Sequence, residues 1–262
     1  MVKPKFENKK EEIKWLIQNK SDLVEMKKAA IKFTDVAVNS LEEVANKALN
    51  TNHKDDITSG VIKRSIVANT YNWMDSHDDV HVGNTFSKSI SERANKVFHL
   101  HDHKHEVTAK VGKFEALKEI EIPWVDLGVE KQGSTVVLIG ESNIKESLNK
   151  DVFKQYLDNE IDQHSVGMRY IKIDLAVNDD DYPEEKSVWD AYYDKLGNPQ
   201  RADEKGYFWA VKEAGLIEIS AVLMGSNELT PTVQNIEPLK NTQKTEPSND
   251  TQKEKVRIFV KF

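Results

Sequence analysis

Three stretches of this chain carry side chains able to make or break a bond. The first is "DNEIDQHSVGMRYIKIDL", residues 158 to 175, in which Ser165 follows His164 and precedes Gly167 by two positions at the start of a strand-like run. A serine hydroxyl is a weak nucleophile until a base takes its proton and backbone N–H groups hold the resulting oxyanion. No GxSxG surrounds it, so the nucleophile elbow of α/β-hydrolases is absent. Gly167 is compatible with a backbone that must come close to a substrate. His164 is a poor base for its neighbour, because adjacent strand residues face opposite sides of a sheet. Read alone, Ser165 is a small polar residue at the edge of a sheet.

The second stretch, "HLHDHKH", holds His99, His101, His103 and His105. If residues 97–105 form a strand, all four histidines project from one face and Asp102 from the other. Three readings stand side by side: a His-rich edge strand that binds nothing, a strand that supplies one general base, and a zinc grip completed by carboxylates. "HLHDH" is one residue shorter than the HxHxDH signature of metallo-β-lactamase-type hydrolases, and no further ligand cluster follows it. The third stretch is "GLIEISAVLMG". Its Glu218, between Ile217 and Ile219, is a carboxylate expected to be partly buried and therefore paired. A histidine or Arg169 would satisfy it.

Two kinds of element must position these groups. Residues 8 to about 50 carry apolar residues at helical spacing, Ile13, Leu16 and Ile17, then Leu23, Met26 and Ala30, with Ser21 and Ser40 as N-cap candidates. The Lys and Glu content predicts a solvated or partner-facing helical arm. After the polar break at 51–60 the pattern turns to strands: "GVIKRSIVANT", "KVFHLHDH", "EVTAKVGKFEAL", "KEIEIPWVDLGVE" and "STVVLIG". A helix over 149–161, with Val152, Phe153, Tyr156, Leu157 and Ile161 on one face, leads directly to the Ser165 strand. Residues 177–206 read as an acidic, aromatic excursion with a short helix around Val188 to Tyr193. "YFWAVKEAG" reads as helix or turn before a strand over Leu216 to Met224. From about 233 the composition is that of a tail. These boundaries predict an N-terminal helical arm (1–56), a main domain (57–232) and a polar, disordered tail (233–262), with an α+β fold of many strands and few helices.

Of the 262 residues, 38% are hydrophobic and 31% charged, enough apolar material for one sizeable core with extensions. The net charge of −7 and the lack of a basic block disfavour nucleic acid as a partner. With no cysteine, disulfides, thiolate metal sites and cysteine catalysis are excluded, and no cofactor is implied. No run is long and apolar enough to span a bilayer or act as a signal peptide, which predicts a soluble, cytoplasmic protein.

The order of segments from about residue 60 to 232 resembles the prohead serine proteases of tailed phages, which mature capsids. "VANTYNWMDSHDDVHVGNTFSKSI" matches their opening at Asp75, Ser76, Asp79, Val80, Gly83, Phe86 and Ile90. "HLHDHKHEVTAKVGK" supplies the L-x-x-H of Leu100 and His103 and the V-G pair of Val111 and Gly112. His164, Ser165, Val166, Gly167 and Met168 match HS-[IV]-G-[FM], and Glu218, Ser220 and Val222 match an E-x-S-x-V strand. Four landmarks in order are far more specific than any one. The resemblance implies Ser165 as nucleophile, His103 as general base and Glu218 as the third member that orients it. After a register shift His101 or His105 takes the base position, and His105 gives the more usual spacing to Gly112. Backbone N–H groups near Gly167, aided by Arg169, would hold the oxyanion. The resemblance also implies a β-barrel-like core of mainly antiparallel strands flanked by helices. Its partners would be a capsid precursor or scaffold protein and other copies of itself within the prohead. A catalytically inactive head-assembly protein with the same fold is the alternative from another class.

Overall fold

The computed structural model describes residues 4–33, 59–161 and 163–223. Two antiparallel systems make up most of the sheet. One consists of β2 (Val61–Thr70), β5 (Lys110–Pro123) and β6 (Ser134–Lys145), with β6 in the middle. The other is the long pair β7 (His164–Val177) and β8 (Tyr207–Ala221). The four-residue β4 (Phe98–His101) joins them, lying parallel to β8 and antiparallel to β5. A short β3 (Asp79–His81) runs parallel to the start of β8, and the two-residue β1 (Lys32–Phe33) caps the free edge of β7. The order β1-β7-β8-β4-β5-β6-β2 is open, so the eight-stranded sheet is not a closed barrel. It is curled nonetheless. Ile66 and Ala68 from β2 share one buried cluster with Val166, Met168 and Tyr170 from β7, near the opposite end of the order.

The sequence pattern explains most of these elements. β2 and β6 are rich in β-branched residues and largely buried, and β5 alternates over much of its length between buried and exposed positions, as a half-buried strand does. Residues 207–215, by contrast, form no helix or turn. They open a single 15-residue strand in which Tyr207, Phe208, Trp209 and Ala210 are all buried. Packing on both faces removes the alternation by which a strand is recognised. After the short helix α3 (Ser87–Arg93) and α4 (Lys150–Leu157), the acidic excursion carries α5 (Pro183–Tyr192) and α6 (Pro199–Lys205), which each start at a proline, whose fixed φ suits the first helical turn.

Residues 4–33 do not stand off in solvent as a charged arm would. Helix α1 (Lys9–Gln18) is capped by Asn8, whose side chain accepts from the Glu11 N–H at 3.0 Å. It buries Ile13 and Leu16 in the main core. Helix α2 (Lys20–Ala29) is tied down by charge. Lys27 pairs with the fully buried Asp79, which also accepts from the Tyr170 hydroxyl at 2.8 Å. Lys20 reaches Glu185 at 2.6 Å. A stripe of only a few apolar residues per helix is enough, because the buried carboxylate is satisfied by the arm itself. The rest of the expected arm, including the Ser40 cap, and the tail lie outside the described residues. Among the described residues, no helix is long and apolar enough to cross a membrane.

Candidate active site

The helix α4 (Lys150–Leu157) is capped by Asn149, which accepts from the Val152 N–H at 3.1 Å, and it buries Val152, Phe153 and Tyr156. It leads the chain to β7 and to His164 and Ser165. In the antiparallel β7/β8 pair, Ser165 stands opposite Ser220 and Gly167 opposite Glu218. Cross-strand partners project from the same face, with Cβ atoms about 5 Å apart. One face therefore collects Ser165, Gly167, Glu218 and Ser220. The register with β1 adds Phe33, opposite Gly167, and the register with β4 adds Phe98, opposite Glu218.

The histidines do not share a face. The strand ends at His101, and Asp102 and His103 both adopt left-handed backbone conformations, with φ of 52° and 54°. These two residues turn the chain back over the end of β8. The Asp102 N–H donates to the Ala221 carbonyl at 2.9 Å, and the His103 N–H donates to Ser220 Oγ at 3.2 Å. The expectation that four odd-numbered histidines line one face is thereby corrected. His99 and His101 pair with Ile219 and Ala221 of β8, on the side away from Ser165, whereas His103 crosses to the Ser165 side. His101 lines a cavity of about 440 Å³ with Asn149, Asp151, Gln155 and Glu160, and its Nδ1 meets Asp102 Oδ2 at 3.1 Å. His105 is exposed in the following loop.

His103 meets Glu218. Its Nδ1 lies 2.7 Å from Glu218 Oε1, and the carboxylate is buried at 2% exposure. The second carboxylate oxygen, Oε2, accepts from the Ser220 hydroxyl at 2.6 Å. A carboxylate on Nδ1 fixes the proton there and leaves Nε2 as the nitrogen with a lone pair. The Phe33 ring packs against the imidazole, centroids 4.0 Å apart and tilted by 33°. The carboxylate reaches His103 across Gly167. A Cβ at that position would overlap Glu218 Oε1 and fall 2.9 Å from its Cδ. The glycine is thus required for the approach of a side chain, a different reason from the approach of a substrate. Arg169, two residues on, is exposed. Ser165 itself is 2% exposed in this conformation.

On the opposite side of the same strands lies a second polar cluster. Tyr156 Oη stands 3.0 Å from His99 Nε2 and 2.6 Å from His164 Nε2, and His99 Nδ1 lies 2.9 Å from Ser142 Oγ. All four residues are buried. Burial drives the proton affinity of both rings down, His164 to about 3 and His99 well below the ordinary range, the latter also through its proximity to His164. Gly112, of the expected V-G pair, sits beside this cluster, where a Cβ would come 3.0 Å from Ser142 Oγ. With its histidines divided between two faces, the 99–105 segment gathers no ligand set. Among the described residues no group of three or more His, Cys, Asp or Glu side chains is placed to hold a metal ion.

Ser220 and Phe33 touch the His103–Glu218 pair, and neither has a role that the sequence assigns. Ser220 stands in the E-x-S-x-V pattern, so a signal for it existed. Phe33 lies more than 60 residues from any other member of the site, in a two-residue strand without a pattern of its own, and carries no signal. The chain matches no protein-family model, no curated protein and no solved structure.

Proposed function

We propose that this chain is a serine endopeptidase of the prohead-maturation type. Ser165 is the nucleophile, His103 its general base and Glu218 the acid that orients the base. The observation that carries the reading is the 2.7 Å contact between His103 Nδ1 and Glu218 Oε1, on the face where Ser165 stands beside Ser220. In the reaction, His103 Nε2 takes the Ser165 proton as Oγ bonds to the scissile carbonyl carbon. Backbone N–H groups near Gly167, with Arg169, hold the oxyanion. As the C–N bond breaks, His103 returns the proton to the leaving amine and an acyl-enzyme remains. Water then gives a proton to His103 and attacks the ester, and Ser165 leaves with that proton. Glu218 stays ionised throughout and stabilises the imidazolium.

The substrates under this reading are scaffold or capsid-precursor segments, and the polar tail of the chain itself, inside proheads assembling in the host cytoplasm. The curled sheet is in keeping with the barrel-like design of such proteases. The burial of Ser165 favours a second reading, a head-assembly protein that keeps the fold without cleaving. Under the first reading, the face above Ser165 opens to admit the substrate. The test is the intact mass of wild type and Ser165→Ala, each expressed with its capsid precursor. A wild type or precursor that is shortened only when Ser165 is present supports the protease. Full-length products in both cases would overturn it in favour of the assembly protein.

A further inference from the structure

His103 is held through its backbone as well as its ring, and one side chain joins the two attachments. Ser220 Oγ accepts from the His103 N–H at 3.2 Å and donates to Glu218 Oε2 at 2.6 Å, while Glu218 Oε1 engages His103 Nδ1 at 2.7 Å. The result is a closed loop of three hydrogen bonds through His103, Ser220 and Glu218. Every polar atom in it is used once, apart from the hydroxyl oxygen, which both accepts and donates. Ser220 is fully buried, so neither of its bonds is exchanged freely for water.

The loop has a conformational task. Two consecutive non-glycine residues in the left-handed region cost energy and persist only where the surroundings over-determine them. Asp102 is held by the Ala221 carbonyl and Lys104 by the His101 carbonyl at 3.2 Å. For His103, whose backbone sets where the imidazole projects, Ser220 Oγ is the acceptor. The same hydroxyl keeps the carboxylate from rotating away from Nδ1. We propose that Ser220 is a positioning residue, which locks the backbone turn at His103 and the carboxylate of Glu218 into one rigid unit. This rests on the reading of His103 and Glu218 as base and orienting acid.

The experiment uses the full chain with Ser220→Ala, and with Ser220→Cys as a near-isosteric variant that weakens both bonds should alanine fail to fold. The first readout is the His103 Nδ1–H proton in imidazole NMR spectra, assigned by its loss in His103→Gln. In both Ser220 variants this proton is expected to exchange with water at least about tenfold faster, as a hydrogen bond worth about 1–1.5 kcal/mol is removed. The second is cleavage of the precursor. There kcat falls roughly tenfold to a hundredfold with KM little changed, the effect of a misplaced base. Combined with Glu218→Gln, Ser220→Ala should cost little more, because both act through one imidazole. Unchanged proton exchange in both variants, or a cost that simply adds to that of Glu218→Gln, would overturn the role of Ser220. If no form cleaves precursor, the protease reading fails, while the NMR readout still decides whether Ser220 holds His103.

Discussion

The two faces of one pair of strands each gather histidine and serine side chains and put them to opposite uses. On one side, His103 keeps 17% of its side chain exposed, gives Nδ1 to a carboxylate and retains a lone pair on Nε2. On the other, His99 and His164 turn both Nε2 atoms onto a single tyrosine hydroxyl, away from solvent. Each of these rings is neutral because burial penalises its charged form, and neither has a carboxylate beside it to reverse that penalty. A histidine next to a serine in sequence, His164, thus belongs to the architecture. The histidine that meets the Ser165 face comes from 62 positions earlier in the chain, reckoned from Ser165 back to His103.

The comparison can be broken most sharply at Glu218. Glu218→Gln preserves shape but can present an N–H to His103 Nδ1 and so favour the wrong tautomer. For the proposed protease, precursor cleavage should drop by about 10⁴-fold, measured as kcat, in a protein that still folds. On the other face, acid should act on stability. The folded proton affinities of His99 and His164 are lowered, so their contribution is complete above an unfolded value of about 6.5 and is lost as pH falls below it. Each costs about 1.4 kcal/mol per pH unit, so denaturant midpoints taken from about pH 6.5 to about pH 5 should reveal a loss of up to about 4 kcal/mol from the pair. His81, also buried and lowered to about 4, adds to the same slope. Replacing His164 with Asn should flatten the curve by about one proton, and a slope that does not change would refute the assignment.

Gly167→Ala is expected to strike the Ser165 face without touching the other. Its methyl must push Glu218 off His103, and a displacement near 1 Å costs about 10²-fold in rate. Tyr156→Phe does the reverse. Two buried imidazole nitrogens lose their partner, for about 1–3 kcal/mol of stability and a fall in Tm of a few degrees, with kcat unchanged. The smallest effect is expected at Phe33. Its ring rests on the imidazole from an edge strand only two residues long, so Phe33→Ala should reduce kcat by no more than about tenfold, or about 1.4 kcal/mol, and leave Tm nearly unaltered.

Much of this was legible from residue types and order. The strands β2, β5 and β6, the helix α4 and the strand carrying Ser165 follow from local periodicity and β-propensity, which act within a few residues. Glu218 between two isoleucines announced a buried, paired carboxylate, and its partner is a histidine. What the pattern missed has a common cause. β8 is covered on both faces and lost its alternation. The helices α1 and α2 look like a charged arm, yet Lys27 meets a carboxylate buried about 50 residues further on.

By itself, the sequence determined the stock of chemistry: a serine at the head of a strand, a run of histidines, a glutamate between two isoleucines, and no thiol. Only the tertiary structure decided on which side of the sheet each histidine stands. Strand periodicity carried past His101 keeps His103 with His99, whereas two left-handed residues pinned to the end of β8 send it across to Glu218. Such a turn is unfavourable locally and exists because partners far away in sequence hold it, which is information no window of neighbouring residues contains.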